Sequence, residues 1–210
     1  MRKLALQDFR LYFVTDPLLH KGYSVLEQVE LALRGGVKII QIREKDLPVT
    51  DFIKLASEAL KLTRAHDAFL IINDSVEVVK AVGADGLHLG QDDLPVKVAR
   101  KLLPIDKLIG CSAATVEQAV AAESDGADYV AVASIYPTSS KEMAEVVGLD
   151  RLRQIKKAVS LPLVAIGGIN KDNAQEVMAA GAVSIAVISA ILQANNIQEA
   201  ARQILNRIEK

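Results

Sequence analysis

Short, nearly unbroken apolar runs recur along the chain at residues 11–15, 38–42, 69–73, 86–89, 108–112, 129–132, 163–166 and 185–188. They are too short for helices and rich in Val, Ile and Tyr. They are also continuous rather than alternating, which is how strands covered on both faces read. Between them the apolar spacing changes to a helical period. Ser24 with Glu27, and Thr115 with Gln118, predict capping boxes, in which a hydroxyl takes a free N–H of the first turn and the later side chain reaches back. Glycines at 35–36, 83, 126 and 181 mark helix exits, where the chain turns through a left-handed residue. Segments 26–42 (LEQVELALRGGVKIIQI) and 116–132 (VEQAVAAESDGADYVAV) align as the same helix, glycine exit and strand. Residues 197–208, apolar at Ile197, Ala200, Ala201, Ile204, Leu205 and Ile208, predict a final covering helix.

Eight strands alternating with helices in 210 residues, without a Pro/Gly/Ser-rich linker, predict an α/β protein: a (β/α)8 TIM barrel, one domain over residues 1–210. The rival is a doubly wound open sheet. Eight is the number that closes, and the short βα repeat carries no sign of the reversed strand order that an open sheet needs.

Composition narrows the partners. Hydrophobic residues make up 50% of the chain, charged residues 24%, and the formal net charge is −1, which excludes a disordered or acidic interaction segment. Such a balance has no bulk attraction for nucleic acid or an anionic membrane, so any electrostatic argument is local. Cys111 is the single cysteine; with His20, His66 and His88 scattered it makes neither an intrachain disulfide nor a zinc spacing, and a reducing, cytoplasmic location is expected. Met1-Arg2-Lys3 is followed by three apolar residues and then Gln7 and Asp8, so neither a signal peptide nor export is expected. The longest apolar run, 182–192, falls far short of the ~20 residues that cross a bilayer.

In a barrel of this kind, polar residues at the C-terminal ends of strands are the candidates for chemistry. After the second run, alternation turns Gln41, Arg43 and Lys45 of the stretch Gln41-Ile42-Arg43-Glu44-Lys45 to one side, either as a grip on an anion or as an ordinary charged loop. Asn73-Asp74 and Gln91-Asp92-Asp93 place carboxylates at neighbouring strand ends. Such a pair suits Mg²⁺, although Asp before Leu94-Pro95 also reads as a helix start. Residues 136–142 set Thr138, Ser139 and Ser140 beside Lys141 and read as a mobile anion-binding loop. Gly167-Gly168 and Ser189 would offer backbone N–H groups to a phosphate, unless the glycines form only a tight turn. His88 and Cys111, inside apolar runs, read as core.

The chain resembles the thiamine phosphate synthase family, also called thiamine phosphate pyrophosphorylase. The resemblance rests on Leu11-Tyr12-Phe13-Val14-Thr15-Asp16, Gln41-Ile42-Arg43-Glu44-Lys45, Ile72-Asn73-Asp74, residues 83–93 (GADGLHLGQDD), Tyr136-Pro137-Thr138, Ala165-Ile166-Gly167-Gly168-Ile169 and residues 187–191 (VISAI), in this order. It implies an enzyme that joins 4-amino-2-methyl-5-hydroxymethylpyrimidine diphosphate to a thiazole phosphate, with Mg²⁺ as cofactor. The implied partners are these phosphorylated small molecules, with a homo-oligomer compatible and neither nucleic acid nor membrane involved. By the same resemblance Gln41, Ile42, Arg43, Glu44, Lys45, Asn73, Ser112 and Lys141 correspond to the pyrimidine diphosphate site, and Arg43, Lys45, Lys141 and Ser112 to the catalytic set. Asp74 and Asp93 correspond to the metal ligands, and Thr138, Ser139, Ser140, Gly168, Ile188 and Ser189 to the thiazole phosphate site. The sequence departs from the family's usual pattern at Ser75, Ala131, Ala133, Ser134 and Ser140, which bears on substrate fit. Two alternatives stand beside this reading: a non-catalytic binding paralogue, and the related thiazole tautomerase. The tautomerase resembles this pattern with a histidine after the fifth-strand serine, where this chain has Ser112-Ala113-Ala114.

Overall fold

The computed structural model describes residues 10–19, 21–138 and 145–208. Within them β1 (Leu11–Val14), β2 (Ile39–Ile42), β3 (Phe69–Asn73), β4 (Gly86–Leu89), β5 (Leu108–Ala113), β6 (Tyr129–Ala133), β7 (Leu163–Ile166) and β8 (Ser184–Val187) pair in sequence order. The sheet closes, because β1 pairs in parallel with both β2 and β8. A closed all-parallel sheet puts every strand's C-terminal end on one rim, and so gathers the polar segments that follow the strands.

The strands read as continuous apolar runs because each has two faces to bury. Tyr12, Val14, Ile39, Ile71, Tyr129, Ala131, Val164 and Ala186 pack together inside the barrel. Their neighbours Leu11, Phe13, Ile40, Ile42, Leu70, Ile72, Leu87 and Leu89 pack outward against the helices.

The intervening helices are α1 (Val25–Arg34), α2 (Val49–Ala65), α3 (Val76–Val82), α4 (Val96–Leu102), α5 (Val116–Ser124), α6 (Gly148–Ala158), α7 (Ala174–Ala179) and the short α8 (Ser189–Leu192). Both capping boxes form, at Ser24 and Thr115. Gly83 ends α3 in the left-handed conformation at φ 74°. The last helix, α9 (Ile197–Ile208), covers the seam beside α1. It approaches so closely that a Cβ on Gly35 would lie 2.7 Å from both Ala201 Cβ and the Gln198 carbonyl oxygen.

The repeated Gly-Ala-Asp exits do structural work on the opposite rim. Asp85 accepts the Leu70 N–H at 2.8 Å and Asp128 accepts the Ile109 N–H at 2.7 Å, each tying the start of the preceding strand. Arg64 of α2 and Arg100 of α4 pair with these carboxylates. Among the described residues no helix is long and apolar enough to cross a membrane.

Candidate active site

A cavity of about 210 Å³ opens on the C-terminal rim, and most of the residues singled out above line it. By the same measure one water needs about 10–15 Å³, so a small organic molecule fits. Gln41, Arg43 and Lys45 reach it from β2, Asn73 and Asp74 from β3, Asp93 from the loop after β4, and Ser112 from β5. Thr138, Gly168, Ile188 and Ser189 line its other side. Ile42 and Glu44 do not line it: strand alternation packs Ile42 among the outward-facing core residues, and Glu44 follows the same side. Burial first, and then Asp16 and Asp46, raise the Glu44 carboxyl above the usual carboxylate range, with Arg43 opposing. Asp92 is exposed and outside the cavity wall. Ser139, Ser140 and Lys141, and with them most of the expected anion-binding loop, lie outside the described residues.

The β3 end is built to present a carboxylate. Asp74 adopts φ 62°, unfavourable for a residue with a side chain, and is held there by its N–H, which donates to the His88 carbonyl at 2.9 Å. Asn73 Nδ2 donates to Asp74 Oδ2 at 2.5 Å. Asp93 turns back to accept the Gly90 N–H at 2.6 Å rather than capping α4, whose N-cap is Pro95. The two carboxyl groups meet. Burial, the hydrogen bond that protonated Asp74 donates to Asp93, and the charge of Asp93 push Asp74 up to about 6, with Lys45 and Arg43 opposing. Two carboxyl groups whose mutual repulsion favours taking up a proton would equally be satisfied by a hard cation between them. Among the described residues no group of three or more His, Cys, Asp or Glu gathers for a metal, so this pair would hold an ion only with substrate oxygens or water completing its shell.

Arg43 is fixed from both ends. Its backbone N–H donates to Thr15 Oγ1 at 3.1 Å, and its guanidinium lies 3.8 Å from Asp16 Oδ2. Asp16, 6% exposed, also accepts the Leu18 and Leu19 N–H groups. An arginine held in this way meets an anion with little further ordering.

The opposite wall needs glycine twice. Gly167 and Gly168 have φ 104° and 64°; a Cβ on the first would lie 2.0 Å from Ser134 Oγ, and on the second 2.5 Å from the Pro137 carbonyl oxygen. The segment after β6 therefore rests directly on the end of β7. Its backbone and the start of α8 at Ser189 form the second polar end of the cavity. Between the two ends the wall is apolar, from Val14, Ala131, Ala133, Val164, Ile166 and Ala186.

Below these groups runs a chain of side chains that the sequence did not disclose. Gln41 Nε2 donates to Tyr12 OH at 2.7 Å, Tyr12 OH lies 3.1 Å from Tyr129 OH, Tyr129 OH 3.1 Å from His88 Nδ1, and His88 Nε2 2.9 Å from Ser112 Oγ. His88 was expected to be core. It is buried at 8% exposure but forms part of the cavity wall, and both ring nitrogens are engaged. Burial lowers it to about 4, so it is neutral at pH 7.

The model of the thiamine monophosphate synthase family matches residues 11–191, from the start of β1 into α8. The chain belongs to the thiamine monophosphate synthase family. Thiamine-phosphate synthase of Clostridium novyi is 43% identical over 95% of this chain and 98% of its own length. That of Moorella thermoacetica is 48% identical over 92% and 93%. The solved thiamine phosphate pyrophosphorylase from Pyrococcus furiosus superposes with a TM-score of 0.90 at 40% identity, covering 97% of each chain. The family match spans every residue described at the cavity. Three of the departures noted in the sequence, Ala131, Ala133 and Ser134, line the cavity and so shape its wall. Another, Ser75, has a local use: its hydroxyl caps α3 by accepting the Val78 N–H at 3.2 Å.

Proposed function

We propose that this chain joins the pyrimidine diphosphate to the thiazole phosphate, releasing diphosphate and forming thiamine phosphate, as a Mg²⁺-assisted transferase. The observation that carries this reading is one cavity with two anion-receptive ends separated by an apolar wall, in a chain of this family. Arg43 and Lys45 with the carboxylate pair make one end, and Thr138, Gly168 and Ser189 the other.

The C–O bond between the pyrimidine methylene and the diphosphate breaks, and its electron pair leaves with the diphosphate. The 4-amino group feeds electrons into the ring and spreads the positive charge left on the methylene. The thiazole nitrogen then gives its lone pair to that carbon and closes the C–N bond. No protein nucleophile is needed. The work of the protein is to hold the leaving charge and align the second substrate. Arg43 and Lys45 face the leaving group, and the resemblance adds Lys141. Asp74 and Asp93 would hold Mg²⁺, which supplies positive charge against the diphosphate. With these three cations and two carboxylates, the local charge including Mg²⁺ is about +3, matching a diphosphate of about three negative charges.

The tautomerase reading requires proton transfer by a well-placed acid or base. Among the described residues His88 is the histidine that lines the cavity, and with both nitrogens engaged and its basicity lowered it is unsuited to that task at neutral pH. Supplying each substrate alone and then both together, with the product identified by mass, tests the proposal. Thiamine phosphate only when both are present is expected. Isomerised thiazole from the single precursor would replace this reading with the tautomerase one.

A further inference from the structure

The polar chain under the cavity joins two residues that face the ligand, Gln41 of β2 and Ser112 of β5, through three that lie between them. Each linking group has few ways to take part. A tyrosine hydroxyl has one hydrogen, and a neutral imidazole is a donor at one nitrogen and an acceptor at the other. Gln41 Nε2 donates to Tyr12. The Tyr12 hydrogen therefore goes to Tyr129, the Tyr129 hydrogen to His88 Nδ1, and His88 carries its proton on Nε2 and donates it to Ser112 Oγ. The Ser112 hydrogen is left for the cavity, and so is the Gln41 carbonyl oxygen. Running the chain the other way requires the Gln41 amide to turn over and every hydrogen to move. Ser112 then offers only lone pairs and Gln41 only N–H groups. Any mixture of the two senses sets two donors face to face or leaves a buried pair of acceptors without a hydrogen, which a buried site resists.

We infer that Tyr12, Tyr129 and His88 are positioning residues that couple the two ends of this chain, locking Ser112 as a hydroxyl donor and the Gln41 carbonyl as an acceptor toward the ligand. The sense follows from Gln41 Nε2 donating to Tyr12; only the choice of ligand rests on the function proposed above. An amino-substituted ring carrying an anionic leaving group then gives its N–H to the Gln41 carbonyl and takes the Ser112 hydrogen on an electron-rich acceptor atom. Packing holds the chain in place: the Tyr129 ring lies over Gly110, its partner across β5 and β6, and stacks on His88 at 5.7 Å between centroids. Tyr12 and Tyr129 are buried at 1% and 0% exposure, which leaves water little access to the middle of the chain.

The sense is tested without substrate, by imidazole ¹⁵N NMR of the full chain with His88 assigned by its loss in His88→Asn. A neutral ring protonated on Nε2 and bare on Nδ1 is expected. A proton on Nδ1, or a charged ring at pH 7, would overturn the assignment. Coupling is tested by kcat for Gln41→Met, Ser112→Ala and their combination, in the wild-type and Tyr129→Phe backgrounds. We expect the two losses to depart from independence by at least about fivefold when Tyr129 is present, and to multiply independently in Tyr129→Phe. Independent losses in both backgrounds, or the same departure in both, would overturn the coupling. A chain without synthase activity whose His88 is protonated on Nε2 would retain the chain's sense and refute only the choice of ligand.

Discussion

Gly110 and Tyr129 face each other across β5 and β6, and a Cβ on Gly110 would lie 2.0 Å from the Tyr129 ring carbon that bears the hydroxyl. The missing side chain is what lets a tyrosine lie inside the barrel with its hydroxyl between Tyr12 and His88. Gly110→Ala should therefore displace the ring. A loss of about 1–3 kcal/mol is expected from overpacking, read by chemical denaturation, together with reduced synthase activity. Unchanged stability and activity would show that the ring does not occupy this space.

Asp74→Asn and Asp93→Asn should each raise the Mg²⁺ concentration for half-maximal activity and lower turnover, because each removes one of two anionic oxygen ligands. Asp92→Asn should leave the Mg²⁺ titration in place, since Asp92 is outside the cavity. Titrations unchanged in both Asp74 and Asp93 variants would remove the metal from this site.

The same pair predicts a pH dependence for the metal-free protein. Burial and Asp93 raise Asp74 to about 6, above the unfolded value of ~3.9. The folded state thus holds a proton that the unfolded state gives up. This contribution to stability is fully present below pH ~4 and is lost as the pH rises through about 6. Mg²⁺ competes with that proton, so its affinity should rise over the same window. Melting temperatures against pH, with and without Mg²⁺, check both, and Asp74→Asn should flatten this part of the metal-free profile.

Lys141→Ala should cost about 2–4 kcal/mol in the transition state, or about 10²- to 10³-fold in kcat, if its ammonium meets the departing diphosphate as the resemblance implies. Single-turnover rates of product formation measure this. Full activity would make the lysine a surface residue.

The barrel was legible because its strands are buried on both faces and its helices carry their own caps. Runs 69–73, 86–89 and 163–166 coincide with β3, β4 and β7, while the last strand lies one residue earlier than its apolar run. The rim was legible for a related reason: two-residue alternation after β2 puts Gln41, Arg43 and Lys45 on one wall and takes Ile42 and Glu44 off it. What lay deeper was not. Tyr12 and Tyr129 are 117 residues apart, and their hydroxyls meet only through the closure of the barrel, which no local pattern encodes. His88 read as core because it lies within an apolar strand. Its burial fits that reading, and its place in the cavity wall follows from β4 pointing it inward beside Ser112 of β5.

The most direct measurement of the central claim is the release of diphosphate and the appearance of thiamine phosphate from the two phosphorylated precursors, with and without Mg²⁺. The account predicts equal amounts of both products, strong dependence on Mg²⁺, and no appreciable aromatisation of the thiazole precursor supplied alone. Rapid metal-independent isomerisation of that precursor, with no diphosphate released when both substrates are present, would contradict it.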